Sequence, residues 1–143
     1  GKIKNPDQKL FLSESLFLNQ EDIRKIQYAK GAIRGGIETL LNKADITAAY
    51  LEEIILCGGF GANLDPVSAE TIGLLPEGSA QKTLFFGNGA GVGVGQILQS
   101  KEKRKAAEAI AESAKVVELS FSPFFMEKYV EHMNFKNQSL KLI

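Results

Sequence analysis

Two short apolar segments that each run directly into a cluster of glycines constrain the fold of this chain more than any other feature. The first spans residues 53–57 and leads into Gly58-Gly59-Phe60-Gly61, and the second spans residues 83–86 and leads into Gly87-Asn88-Gly89-Ala90-Gly91. Short, apolar, β-branched runs are typical of buried strands. Because helical patterns alternate with these strands, the sequence predicts an α/β layer with a largely parallel central pairing.

Capping residues and apolar periodicity predict the remaining elements. Asn19 is a good N-cap, and the apolar stripe that follows it predicts a helix over about 20–43. Asp65 and Pro66 suit a helix start and predict a short helix over about 66–72. We expect further helices from the second glycine cluster to about 99, over 101–114 and over 123–133, and a strand over 116–119. Residues 1–18 form an entry segment with a strand or docking segment, and the polar tail 134–143 is expected to fray.

Composition excludes several classes of function. Basic and acidic residues balance at 17 each, which argues against a nucleic-acid or membrane-surface patch because both need clustered positive charge. No apolar run reaches transmembrane length. The single cysteine, Cys57, is expected to be a small core residue and cannot hold an iron–sulfur cluster, which usually takes four thiolates. The single histidine excludes a multi-histidine metal site. We therefore expect no metal ligands in this chain and a reducing, cytoplasmic compartment.

The two glycine clusters are candidate ligand-binding turns. Exposed backbone amides after a strand, followed by a helix N-terminus, suit an anion or a ribose phosphate. We expect the amides past Cys57 and past Phe86 to converge on one crevice. Tight packing is the alternative explanation for each cluster. Residues 78–83 lack the glycine that a P-loop places before its lysine, and residues 87–92 and 91–96 do not complete a dinucleotide fingerprint.

Three glycines interrupt the predicted long helix, at Gly31, Gly35 and Gly36. Each costs about 1 kcal/mol relative to alanine in a helix interior. Close packing of the helix on a sheet would explain them. A flat ligand lying against the helix near Gly31 would explain them as well.

The order of these elements resembles the second half of the actin / sugar kinase / Hsp70 superfamily, in which ATP lies between two related domains. The resemblance implies one actin-like ATPase (ribonuclease H-like) lobe with a central sheet and flanking helices. Gly58-Gly59 matches the superfamily's adenosine motif, and Gln27 and Lys30 have the spacing of the polar residue and lysine that Hsp70-like members direct toward adenine and ribose. The alternative is that both are solvated surface residues. Asn88 stands where the superfamily usually has an acid.

Four segments resemble, more specifically, the C-terminal domain of the reductive activators of corrinoid proteins. They are residues 29–37, 58–66, 72–76 and 87–91, and the second and third are the most specific. The resemblance covers most of residues 20–135. It implies a nucleotide site formed by Gln27, Lys30, Gly31, Gly58, Gly59, Phe60, Gly61, Asn63, Asn88 and Gly89. It assigns no catalytic residue.

Members of this family use ATP hydrolysis to drive an uphill electron transfer that returns Co(II) to Co(I) on a corrinoid protein of a methyl-transfer system. The resemblance therefore implies ATP or ADP with Mg in the parent protein, and an iron–sulfur cluster in a domain absent from this chain. Residues 1–143 are then a single C-terminal lobe of a longer protein and catalytically incomplete, and a homodimer stays open. Half of a sugar kinase-like ATPase or dehydratase activator is an alternative. A docking module without nucleotide, its cleft filled by Phe60, is another.

Overall fold

The computed structural model of the protein describes residue 5 and residues 9–135, and combines short strands with helices. The predicted frayed tail lies almost wholly outside the described residues, as does part of the entry segment. In chain order the described elements are β1 (Leu10–Phe11), β2 (Phe17–Leu18), α1 (Gln20–Lys43), β3 (Ile54–Leu56), α2 (Gly58–Ala62), α3 (Pro66–Thr71), β4 (Thr83–Phe85), α4 (Gly89–Gln99), α5 (Lys101–Ser113) and α6 (Pro123–Met133). Short 3₁₀ turns lie at Ala48–Tyr50 and Ala80–Lys82.

The long helix α1 has the predicted bounds because its start is fixed by local hydrogen bonds. The side chain of Asn19 accepts from the amide of Asp22 at 2.9 Å, and the Asp22 carboxylate accepts from the amide of Asn19 at 3.0 Å. This reciprocal capping box satisfies two main-chain donors that the first turn of a helix leaves without intrahelical acceptors.

Strands β3 and β4 form a parallel pair, which confirms the predicted central pairing. Ile54 lies opposite Thr83, and Leu56 lies opposite Phe85. Parallel sheets are normally covered on both faces. Here Ile55 and Leu84 are each about half exposed, at 57% and 50%, so the sheet is only partly covered. Near the N-terminus, β1 and β2 form an antiparallel hairpin, which confirms the predicted strand there.

A small buried cluster joins α3 to α1. Ala69, Leu74 and Leu75 are its buried members, and Ile37 of α1 and Leu64 pack against them. The cluster holds the segment that follows β3 against the middle of α1.

Helix α6 packs along α1 so closely that two glycines of α1 have no room for a side chain. A Cβ at Gly31 would lie 2.8 Å from the main-chain oxygen of Tyr129 and 2.9 Å from Cγ of Met133. At Gly35 it would lie 3.0 Å from the main-chain nitrogen of Tyr129. Close packing is therefore the explanation that the structure supports, although the partner is a helix and not a sheet. The space over Gly31, which the alternative explanation gave to a flat ligand, is filled by α6.

Two predicted features differ from the structure. The strand expected over 116–119 is not formed in this structure, because this segment has no ladder partner among the described residues. Apolar β-branched residues favour a strand, but a strand also needs a neighbour, which local sequence does not reveal. The first glycine turn contains a short helix, α2, that the sequence did not predict, since glycine is a poor helix former.

Candidate functional site

The two glycine turns lie side by side at the carboxyl end of the β3–β4 pair. The amide of Phe86 donates to the carbonyl of Leu56 at 2.9 Å, and the amide of Gly58 donates to the carbonyl of Gly87 at 2.8 Å. The hydrogen bonding of the sheet therefore continues past both strands. This confirms the prediction that the two turns converge. We call residues 57–61 and 86–91 together the turn pair.

Glycine is required at the apex of each turn by the backbone itself. Gly58 has a φ of +79° and Gly87 a φ of +51°, in the left-handed region that costs other L-residues about 1–2 kcal/mol. Above Gly58 and Gly59 the surface is open, since a Cβ at either position would meet no atom within 4 Å. The first turn thus presents bare backbone that a ligand can approach closely.

Helix α4 begins at the second turn and presents its N-terminus there. The Asn88 side chain caps the helix by accepting from the amide of Gly91 at 3.0 Å. Its Nδ2 lies 2.7 Å from where a Cβ of residue 91 would stand, so a side chain at Gly91 would collide with the cap. The amides of Gly89 and Ala90, in the first turn, have no acceptor within the helix and carry the positive end of its dipole.

Cys57 and Phe60 lie at the turn pair, and both are exposed to solvent. Cys57 is exposed, which corrects the expectation of a core residue, and its Sγ lies 3.3 Å from the Cβ position of Gly89. Phe60 is 68% exposed, so it does not fill the turn as the docking-module alternative requires. Asn63 donates to the carbonyl of Gly59 at 2.9 Å, which fastens the end of α2 to its start. Gly61 is buried and packs closely on Leu56.

Lys30 lies at a second location, beneath the end of α6. Its residue exposure is only 2%, so the solvated-surface alternative is wrong for this lysine. The ammonium group donates to the main-chain carbonyls of His132 and Asn134, the latter at 2.9 Å. Its Cε lies 3.4 Å from the Cβ position of Gly73, the turn that ends α3. Lys30 thus connects α1, the α3 turn and the last turn of α6.

Gln27 lies one turn before Lys30 and is half-buried. It faces a cavity of about 320 Å³ whose other lining residues are Gln20, Arg24, Tyr28, Val130, Met133 and Asn134. The structure therefore places the predicted site residues in two groups. One group is the turn pair with Asn63, and the other is Gln27, Lys30 and Gly31 beside α6.

A cluster of charged side chains lies next to Lys30. Arg34 contacts Glu38 at 2.6 Å, and Nε2 of His132 lies 3.8 Å from the same carboxylate. Burial lowers the pKa of His132 below its usual 6.5, and the nearby Arg34 guanidinium lowers that pKa further, against the opposing influence of Glu131 and Glu38.

Sequence reasoning did not identify several residues that shape these two locations. The turn role of Gly87 and the spatial need for Gly91 could be suspected from the glycine clustering alone. The contact between Lys30 and His132 could not, because the two residues are 102 positions apart. No local pattern in either segment points to the other.

The described residues show neither a cluster of metal ligands nor a helix that could span a membrane. Within the described part of the chain, His, Cys, Asp and Glu residues do not gather in a group of three or more that could ligate a metal ion. Among the same residues, no helix combines the length and apolar character that crossing a bilayer requires.

Comparison with known proteins identifies relatives of this chain. Residues 3–143 match the family described as the C-terminal domain of RACo, the ASKHA domain. The corrinoid activation enzyme RamQ of Eubacterium limosum is 36% identical over 132 residues, which cover 92% of this chain and 21% of that protein. The [Co(II) methylated amine-specific corrinoid protein] reductase of Methanosarcina barkeri is 34% identical over 85 residues, 59% of this chain and 16% of that protein.

A solved structure shares the architecture. The reductive activator for corrinoid,iron-sulfur protein superposes with a TM-score of 0.75 at 31% identity, over 83% of this chain and 19% of that one. The chain thus spans between 16% and 21% of the length of the relatives it matches. Since the family match covers residues 3–143, this chain belongs to the family of RACo C-terminal domains, with the actin-like ASKHA fold.

Proposed function

We propose that this chain is the nucleotide-binding C-terminal lobe of a longer, ATP-dependent reductive activator that returns a corrinoid protein from Co(II) to Co(I). The observation that carries the proposal is the convergence of the two glycine turns, joined by the bond from Gly58 to Gly87. The match to the RACo C-terminal family supports it. The names of the relatives support the corrinoid part, because each of them acts on a corrinoid protein.

The bare backbone and the helix start of the turn pair would suit a purine nucleotide. Gly58 and Gly59 leave open space against bare backbone, where the adenosine would lie. Gly89 and the N-terminus of α4 offer donors for phosphate oxygens, and Asn88 holds that helix start in place. ATP hydrolysis would supply the free energy that biases the parent protein toward the state in which electron transfer to cobalt is favourable. The residues of this chain bind and orient the nucleotide.

The open surfaces of the chain support its being one lobe of a larger protein. Both faces of the β3–β4 pair have half-exposed apolar residues, and a two-stranded sheet is marginal by itself. The electron-carrying iron–sulfur cluster would lie in another domain, since Cys57 is the only cysteine in the sequence. We further propose that residues 1–143 form a single lobe of the cytoplasmic parent and are catalytically incomplete alone.

The partner would be the corrinoid protein of a methyl-transfer system. The name of the Methanosarcina barkeri relative specifies a corrinoid protein for methylated amines, which supports this class of partner. Homodimerisation of the parent stays a prediction.

Alanine at Gly59 tests the nucleotide site. The added Cβ would meet no protein atom within 4 Å, so folding should be unaffected, but it would occupy the space assigned to the nucleotide. In the full-length protein we expect Gly59→Ala to weaken ATP binding by about tenfold or more, equivalent to ~1.4 kcal/mol, measured by calorimetry. Gly95→Ala is the matched control, because its Cβ also meets no atom and it lies well inside α4.

The outcome that contradicts the proposal is equal ATP affinity in the wild type and Gly59→Ala. Absence of any ATP or ADP binding by the full-length protein would contradict it more broadly. Loss of binding in both variants would show that the effect is not specific to the turn pair.

A further inference from the structure

The segment between α5 and α6 has the burial pattern of a strand without the hydrogen bonds of one. Val117 and Leu119 are half-buried, and Cδ1 of Leu119 lies 3.7 Å from the Cβ position of Gly36 on α1. Val116 and Glu118 alternate with them and are exposed, Val116 by 94%. Alternation with a period of two is the signature of a β-strand that has one face against a core.

The main chain of this segment is open to pairing. Among the described residues, no main-chain amide or carbonyl from Lys115 to Glu118 makes a hydrogen bond. The segment is closed only at its end, where the amide of Ser122 donates to the carbonyl of Leu119 at 3.0 Å. An unpaired main chain of this kind is a template for a further strand.

The space beside the segment is apolar and accessible. A cavity of about 810 Å³ lies between the end of α1 and the segment, lined among others by Leu40, Lys43, Val117 and Phe121. Phe121 is 88% exposed. Large apolar side chains with this exposure, next to an unpaired main chain, indicate a surface that another element covers.

We propose that residues 116–119 are an edge strand that pairs with a β-strand from the part of the protein outside these 143 residues. The relatives favour this occupant, because the chain spans at most 21% of their length and the longer parent proposed above holds the rest of that length. Strand addition satisfies the open main-chain groups. The inference rests on the proposal that this chain is one lobe of a longer protein.

Residue-resolved hydrogen exchange in the full-length protein tests the pairing. A single partner strand bonds alternate residues, so protection should fall on the amides of residues 116 and 118 or on those of 117 and 119, but not on both sets. We expect the protected set to exchange about 100-fold more slowly in the full-length protein than in the 143-residue chain. ATP binding does not enter this readout, so failure of the nucleotide proposal would leave it unchanged.

Proline substitution provides a matched pair of variants. Proline removes one amide donor, so Val116→Pro and Val117→Pro each disable one edge of the strand. One of the two should release the protection in the full-length protein while the other retains it, and both should leave the 143-residue chain folded. Unprotected amides in the full-length protein would overturn the proposal. Protection that appears in the 143-residue chain as its concentration rises would assign the edge to a second copy instead and overturn it as well.

Discussion

The glycines of this chain serve two different physical purposes. At the turn pair, Gly58 and Gly87 adopt backbone angles that other residues reach only at a cost. In α1, Gly31 and Gly35 have ordinary helical angles, but a side chain there would collide with α6. The sequence could not distinguish packing from ligand contact at Gly31, because the residue that fills the space, Tyr129, is remote in the chain.

Alanine substitutions along α1 measure this close approach. Gly31→Ala should destabilise the protein by about 1–3 kcal/mol, because its Cβ would overlap the main-chain oxygen of Tyr129, which cannot move without shifting α6. Gly36→Ala is the control on the same helix, since its nearest neighbour would be Leu119 Cδ1 at an ordinary 3.7 Å. It should be neutral or stabilising by up to about 1 kcal/mol. Urea unfolding of both variants measures the difference, and equal stabilities would contradict this account.

At the scale of elements, the sequence predicted those helices whose ends are decided locally. Asn19 caps α1, and Ser122 caps α6 by accepting from the amide of Phe125, with Pro123 in the first turn. Both helices have the predicted bounds. The segment 116–119 forms no strand among the described residues, because a strand needs a neighbour with which to pair. The same distinction holds for the candidate site. The convergence of the turn pair follows from the parallel pairing that the sequence predicted. The position of Lys30 depends on the end of α6, which no local pattern indicates.

The docking of α6 on α1 should depend on pH through His132. Burial lowers the pKa of this imidazole in the folded protein, so its neutral form is favoured when α6 is docked. The corresponding stabilisation is present above about pH 6.5 and is lost as pH falls through the lowered folded value. The charged groups facing the imidazole are Arg34, Glu38 and Lys30 on α1 and Glu131 on its own helix.

Because His132 is the only histidine, its NMR titration reports on α6 without overlap. We expect a pKa below 6.5, and a decrease in unfolding free energy between pH 7.5 and 5.5 that His132→Gln reduces. A measured pKa at or above 6.5 would show that the imidazole is not desolvated by docking.

At the scale of the whole molecule, the fold class was predictable and the extent of the core was not. The pattern of strands, glycines and helices predicted an α/β layer, and the resemblance to the corrinoid-protein activators implied the actin-like lobe. It did not predict how little of that lobe this chain encloses, since the described core cluster consists of Ala69, Leu74 and Leu75 with Ile37 and Leu64 against it. Burial depends on which elements pack over a surface, and a local sequence pattern does not show them.

The isolated chain should therefore bind ATP weakly or not at all. In the function proposed above the nucleotide lies between two lobes, and the turn pair would contribute one wall with open space above Gly58 and Gly59. We expect calorimetry to detect ATP binding by the full-length protein but not by the 143-residue chain at the same concentration. Binding by the isolated chain with a Kd below about 1 μM would contradict the two-lobe requirement.

The pairing of Lys30 with the end of α6 has a consequence for synthesis on the ribosome. The contact joins residues 102 positions apart, so the face of α1 that holds Gly31 and Gly35 emerges long before the helix that covers it. Until α6 leaves the exit tunnel, this face of α1 is exposed to chaperones. Translation pauses between α5 and α6 would prolong that exposure, and synonymous codon choice in this stretch should influence the yield of folded protein.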